Sequence, residues 1–397
     1  MTLSQSRNGR ARVSKSKVES NLVTQFPQAP VMPGPNWANL ELLTSSNFLA
    51  HGSVEILDIA SSSLRGNALN DPAHRPLLVY VPDHLGGSPN KRYPVIYLLH
   101  GAMTDVGAWL KKGDGRQSLL ETVDSIIADE GDAIVVMIDA WTSVGGSQYL
   151  NSGAIGRYQD YLVDDVVAWV DIAFPTISSP LGRAILGHSS GGFGAWMACT
   201  RRPGIFGVLG MLAADCLFEG VYLQTLAPAV RRLRESYQGL MDYFWSTHRP
   251  SDHTIQSYSR DFQLQVGQGR HWNTEDAPIY DQHMLAAAFS GIKLGKGRYL
   301  FSQITGEIDA DVWQSWLRFD PVRTAADFKS ELLQLRNISI AAGKQDEFFS
   351  DNGAAALSGV LTSIGVRNTH LTADGSHEPG KLFADQFRAV LQSVLSL

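Results

Sequence analysis

Short apolar runs recur along the chain, separated by segments with helical spacing. Residues 54–59 and 77–81 read as strands, and 93–99 and 133–139 follow as runs with no polar alternation. An uninterrupted apolar strand is the signature of one buried on both faces, as in a parallel sheet covered by helices. Residues 119–128 and 158–174 carry helical periodicity between these strands, with Asp164, Asp165 and Asp171 on the polar side of the second. The alternation continues through short strands at 183–186 and 206–214. It breaks down after Asp215, then returns as a strand at 337–343, a helix at 354–364, a strand at 367–372 and a closing helix at 381–395. This order predicts an α/β protein with a mostly parallel central sheet flanked by helices.

The stretch without alternation is rich in aromatic residues (Tyr243, Phe244, Trp245, Trp272, Tyr280, Trp313, Trp316) and has a basic patch at Arg231, Arg232 and Arg234. Its place before the last core strands predicts a helical insertion that roofs a site. The expected organisation is a tail over 1–35, a first core part over 36–216, the insertion over 217–330 and the rest of the core over 331–397. The tail carries Arg7, Arg10, Arg12, Lys15 and Lys17 with no acid before Glu19 and runs into a proline-rich linker. That composition predicts a disordered basic segment, and it is also the composition of an organellar transit peptide. The apolar core of a secretory signal is missing, so the expected location is cytoplasmic.

Composition narrows the function by exclusion. A net charge of −6 over 397 residues speaks against a general nucleic-acid binder. Cys199 and Cys216 form no metal-like spacing and read as small buried apolar residues. There is no phosphate-binding lysine loop, no His-Glu-x-x-His and no apolar run of membrane-spanning length. No cofactor or metal is expected. No nucleic-acid partner and no membrane span are expected, and a homo-oligomer is left open.

Gly187-His188-Ser189-Ser190-Gly191 follows the short strand at 183–186, precedes a small-residue helix start and makes a small-molecule ester the expected partner. A strand, a sharp turn centred on serine and a helix make the nucleophile-elbow pattern, in which small residues two before and two after the serine permit the turn. Ser189 is the candidate nucleophile. His100-Gly101-Ala102-Met103 ends the apolar run at 93–99. A loop at this place supplies one backbone N–H to an oxyanion hole, so the N–H groups of Ala102 and Ser190 are the candidate donors, and His100 is expected to shape the turn. The loop after the strand at 337–343 offers Asp346, and the loop after the last strand offers His377. Nucleophile, acid and base then stand in the chain order of α/β-hydrolases, each after a core strand. An imidazole near its natural pKa can accept the serine proton, and a carboxylate can hold the ring in the required tautomer. Glu347 and Asp351 share the acid's loop and compete with Asp346, while His370 competes with His377 from inside a strand. Gln148, Tyr149 and Asn151, on a polar loop after the strand at 133–139, are candidate substrate contacts.

From residue 54 onward the chain resembles the putative-esterase, or esterase D-like, family of α/β-hydrolases. Arg-Tyr-Pro-Val-Ile-Tyr-Leu-Leu-His-Gly at 92–101, the block at 145–161 and the elbow block at 183–206 carry the likeness, with Asp215 to Tyr222, Asp320-Pro321 and 343–347 joining it. The family also holds S-formylglutathione hydrolases, feruloyl and enterochelin esterases, and mycolyltransferases. The resemblance implies an α/β-hydrolase fold and an ester hydrolase with its nucleophile at Ser189, acid at Asp346 and base at His377. The substrate motifs of the formylglutathione and enterochelin members are not found here, so the ester stays open. Acyl transfer by the same three residues and a catalytically silent ligand-binding protein are the alternative functions, and a peptidase on this fold is a further one.

Overall fold

A computed structural model of the chain describes residues 35–85, 90–112, 117–244, 274–291, 298–303 and 305–396. The expected basic tail, Trp245, Trp272 and the side chains of Tyr243 and Phe244 lie outside what is described. The strands are β1 (Gly52–Ala60), β2 (His74–Pro82), β3 (Val95–Leu99), β4 (Ile134–Ile138), β5 (Asn151–Ser152), β6 (Gly156–Arg157), β7 (Arg183–His188), β8 (Val208–Leu212), β9 (Asn337–Gly343) and β10 (Thr369–Ala373). Eight of them form one sheet in the order β1-β2-β4-β3-β7-β8-β9-β10, and β5 and β6 make a separate small hairpin. The pairs β1–β2 and β2–β4 are antiparallel, and every later pair in the large sheet is parallel. This is the mostly parallel α/β sheet expected.

The apolar runs serve two layers. Val95, Tyr97 and Leu99 of β3 enter one buried cluster, and Ile96 and Leu98 enter another on the opposite face. Helices Leu119–Glu130 and Gly380–Leu395 cover the second face. Helices Ser190–Arg201 and Ser350–Ser363 cover the first. Helix Leu119–Glu130 begins in a capping box, with Ser118 accepting from the Glu121 N–H and Glu121 accepting from the Ser118 N–H.

Two elements differ from the periodicity. The segment expected as one helix over 158–174 widens to π-helical turns at Tyr161–Val166 between α-helical ends. The widened turns present Asp164 to Arg202 and Asp165 to the hydroxyls of Ser61 and Ser62. The helix expected from residue 354 starts at Ser350, so Asp351 stands on it and not on the acid's loop. Ser350 donates to Asp346 four residues before it, and Gly353 sits where a methyl group would meet the Cys216 carbonyl oxygen at 2.4 Å.

Between β8 and β9 the described residues form helices joined by turns and irregular segments, with one isolated bridge, Phe301 with Ile308. Helix Leu226–Phe244 packs on helix Ala277–Phe289. Phe289 joins this stretch to the elbow helix, with ring centroids 5.6 Å from Phe193, 5.4 Å from Phe218 and 5.5 Å from Trp316. Cys199 and Cys216 are free and buried. Among the described residues no helix is long and apolar enough to cross a membrane.

Candidate active site

Ser189 occupies the turn between β7 and helix Ser190–Arg201 at φ 57° and ψ −125°. A side chain reaches this region only when its surroundings hold it there. The Ser189 N–H donates to the Leu212 carbonyl of the neighbouring strand (2.8 Å), and its carbonyl accepts from the Phe193 N–H (3.1 Å). The flanking glycines are required by space. A methyl at Gly187 would lie 2.0 Å from the Gly191 carbonyl oxygen, and one at Gly191 would lie 2.2 Å from that of Leu99.

The loop after β3 runs directly over the serine, with the position of a Gly101 methyl only 3.2 Å from the Ser189 Cβ. His100 shapes this loop: its Nδ1–H donates to the Gly101 carbonyl (2.8 Å) and its Nε2 accepts from the Ala140 N–H (2.9 Å). Ala102 lines the cavity in front of Ser189, and Ser190 is the first residue of the helix behind it. Anions are favoured at such a helix start.

His377 lines the same cavity. Its Nδ1 lies 2.9 Å from the buried Asp346 Oδ2, which leaves Nε2 free of this contact. Asp346 also accepts from the Phe348 N–H (2.8 Å) and from the Ser350 hydroxyl. Burial works against charge on both members of the pair. Mutual hydrogen bonding and attraction prevail, so the Asp346 carboxyl sits below its ordinary value and the His377 imidazole above its own, with Asp215 and Glu347 adding to the second effect. Glu347 turns to the backbone and accepts the His377 N–H (2.9 Å). Asp351 stands in the first turn of helix Ser350–Ser363, and His370 lies on β10 opposite Ile340.

His188, which no sequence signal singled out, stands beside His377 with ring centroids 4.8 Å apart. Its Nε2–H donates to the His377 carbonyl oxygen (2.9 Å). Burial and the neighbouring imidazole push its pKa down to about 3, so it stays neutral and keeps this hydrogen bond at neutral pH.

The three loop candidates separate. Gln148 lines the cavity. Tyr149 and Asn151 are not among the cavity-lining residues. The Tyr149 ring fills the space left by Gly194 and its hydroxyl donates to the His100 carbonyl (2.9 Å). The Asn151 Oδ1 accepts the N–H groups of Gln159 and Asp160 (3.1 and 3.2 Å) and so ties β5 to the following helix. Beneath this loop a fully buried Arg75 faces Asp139 at 3.4 Å and donates to the Trp141 carbonyl (2.9 Å) and the Tyr158 hydroxyl (2.6 Å). A buried pair so well supplied with hydrogen bonds fixes the loop's path.

The cavity holds about 870 Å³ and is walled on one side by the ends of the strands and on the other by Val221, Tyr222, Thr225, Pro278, Asp281 and Met284. Ligand sites of open α/β sheets lie at the carboxyl ends of the strands, as here.

A family model described as putative esterase matches residues 67–388. A curated endo-1,4-beta-xylanase/feruloyl esterase of Xylanibacter ruminicola is 29% identical over 143 residues, which is 34% of this chain and 19% of that protein. The chain thus covers only 19% of the length of this relative. Among solved structures, a ferulic acid esterase has a TM-score of 0.53 at 17% identity, covering 87% of this chain and 98% of its own. A fluorophosphonate-binding serine hydrolase of Staphylococcus aureus has a TM-score of 0.51 at 19% identity, covering 87% and 99%. At these identities the likeness is one of fold, that of the α/β-hydrolases.

Proposed function

The chain belongs to the putative-esterase family, a family of carboxylic ester hydrolases, and from that premise we propose that it cleaves esters through an acyl-enzyme on Ser189. The observation that carries this reading is the strained Ser189 opening into the same cavity as His377, whose other ring nitrogen is engaged by the buried Asp346. In this reading the Ser189 Oγ attacks the ester carbonyl carbon while His377 Nε2 takes its proton. The oxyanion that forms is held by the N–H groups of Ala102 and Ser190, each contributing on the order of 3 kcal/mol. The C–O bond to the alcohol then breaks, with the proton passing from His377 to the leaving oxygen. Water, deprotonated by the same imidazole, attacks the acyl carbon and releases the acid and free Ser189. Asp346 keeps the Nδ1–H of His377 in place and stabilises the imidazolium. The described helices between β8 and β9 act as the roof that shapes the substrate.

Intact-mass labelling with a fluorophosphonate tests the proposal without a known substrate. One adduct per folded chain is expected, and none in Ser189→Ala. A folded wild type that stays unlabelled, or a variant that labels equally, would sink it.

A further inference from the structure

Ester hydrolysis on Ser189 leaves part of the cavity wall without a task. Asp215, just past β8, accepts from the Tyr222 hydroxyl (2.9 Å) and from Gln148 Nε2 (3.2 Å). The same amide nitrogen lies 3.3 Å from the Tyr222 hydroxyl oxygen. The Gln148 side chain is thereby fully committed through its nitrogen, yet its Oε1 has no hydrogen-bond partner although the residue is only 1% exposed. Asp281, on helix Ala277–Phe289, accepts from the Thr225 hydroxyl (2.7 Å). Gln148, Asp215, Tyr222 and Asp281 all line the cavity that holds Ser189.

This wall is rich in acceptors. Two carboxylates line the space beside a buried Gln148 whose amide oxygen is orphaned, and neither carboxylate takes part in an ion pair among the described residues. Burial lifts Asp215 to about 6, against the lowering effect of Tyr222 and of the nearby His377, and lifts Asp281 to about 7, with the charge of Asp215 adding to the rise. An apolar ligand group would leave these acceptors desolvated and unpaired, which is costly. A group that carries positive charge and an N–H would donate to one carboxylate and be attracted by the other.

We propose that Asp215 and Asp281, with Gln148 holding Asp215 in place, form a subsite for a protonated amine carried by the ester substrate. The assignment rests on Ser189 acting as the nucleophile of that ester. It makes the favoured substrates amino esters, with the ammonium group held between the roof helix and the 148 loop while the carbonyl lies at the serine.

The test compares isosteric pairs. On the alcohol side these are 2-(dimethylamino)ethyl propionate and 3-methylbutyl propionate. On the acyl side they are ethyl 3-(dimethylamino)propionate and ethyl 4-methylpentanoate. At pH 7.5 the amine member of at least one pair is expected to exceed its isostere by about tenfold or more in kcat/KM, the factor of one charge-assisted hydrogen bond. Asp281→Asn and Asp215→Asn should each shrink that ratio several-fold, with fluorophosphonate labelling reporting that each variant is folded. Asp281→Asn alone decides the matter should Asp215→Asn not fold. Equal turnover within both pairs, a ratio unmoved by the Asn variants, or a stronger preference for 2,3-dihydroxypropyl propionate would overturn the proposal. Should no ester be turned over and no label bind, the hydrolase reading fails by itself. Calorimetric titration of 2-(dimethylamino)ethanol and 3-methylbutan-1-ol into Ser189→Ala then reads the subsite alone: binding of the amine only supports it, and binding of neither or of both equally overturns it.

Discussion

The two walls of the cavity are built on different principles. The wall formed by the strand ends is a matter of backbone. Gly187 and Gly191 leave room for a turn that nothing larger could enter, the loop at Gly101 presses on Ser189, and the neighbouring strand grips the serine's own N–H. The roof wall is a matter of side chains. Asp215, Tyr222, Thr225 and Asp281 are joined by hydroxyl and amide hydrogen bonds, and Phe289 anchors the helices through ring contacts. Backbone constraint tolerates no substitution but holds one atom in one place. Side-chain networks are worth about 1 kcal/mol per bond and can be exchanged without losing the fold. Under the proposed function, the difference would suit a strand-end wall that carries the chemistry and a roof that sets which ester is taken.

The sharpest way to break the comparison is at Gly187. Gly187→Ala places a methyl 2.0 Å from the Gly191 carbonyl oxygen, a contact that no rotamer relieves because the Cβ position is fixed by the backbone and the oxygen belongs to it. The expected result is loss of soluble folded protein, or a folded protein that no longer takes up fluorophosphonate, as judged by circular dichroism and intact mass. A variant with full labelling would show that the strand-end wall is as yielding as the roof. The next largest effect is expected at Asp346. Asp346→Asn keeps the volume but removes the acceptor that sets the His377 tautomer, so kcat should fall by about 10³- to 10⁴-fold with KM little changed. A fall of under tenfold would hand the acid's role to Glu347, which already holds the His377 N–H.

The pH dependence is smaller and has a definite sign. The proposed base must be neutral to take the serine proton, and Asp346, Asp215 and Glu347 raise its pKa above 6.5 in spite of burial. The acid limb of kcat/KM is therefore expected to have its midpoint above 6.5, with activity falling about tenfold for each pH unit below it. In Asp346→Asn the residual activity should show this limb displaced to lower pH. His188, pushed down to about 3, contributes nothing to the limb, so His188→Gln should leave its midpoint in place. A limb centred below 6, or one that Asp346→Asn leaves unmoved, would separate the measured ionisation from His377.

What could be read from the sequence follows the same division. Strands buried on both faces announce themselves by unbroken apolar runs, and β3, β4 and β7 through β9 all lie close to where those runs sit, while the half-exposed edge strand β10 follows a more mixed stretch. Ser189 is legible from the small residues its turn demands. Asp346 and His377 are legible from the strands they follow, and their side chains do meet at 2.9 Å. His188 was not, because any residue fits its place in the pentapeptide and its partner is a carbonyl far along the chain. Asp215 and Asp281 were not, because what brings both to one cavity is the packing of the helices between β8 and β9, and irregular helical stretches carry no register to count from. The loop at 148–151 misled in part. Tyr149 and Asn151 have the polarity of ligand contacts, yet the gap at Gly194 takes the Tyr149 ring, and two unpaired helical N–H groups take the Asn151 oxygen.

The smallest effect sharpens the comparison from the roof side. Tyr222→Phe removes one hydroxyl that donates to Asp215 and lies beside the Gln148 amide, and it leaves the ring contacts with Phe218 and Phe289 in place. The cost should be about 1 kcal/mol in denaturant titration, the worth of one buried hydrogen bond. Turnover of 3-methylbutyl propionate should drop by less than about threefold, since neither Ser189 nor His377 touches this hydroxyl. Asp215 loses a partner that steadies its ionised form, so its carboxyl moves further up and its proton is held to higher pH. The amine ester should consequently lose more than the neutral one, and the loss should be larger at pH 6.5 than at pH 8, where the carboxylate recovers its charge. A Tyr222→Phe protein that lost 10²-fold or more on the neutral ester would mean that the roof holds the reacting groups in position, and the division between a chemical wall and a selective wall would fall.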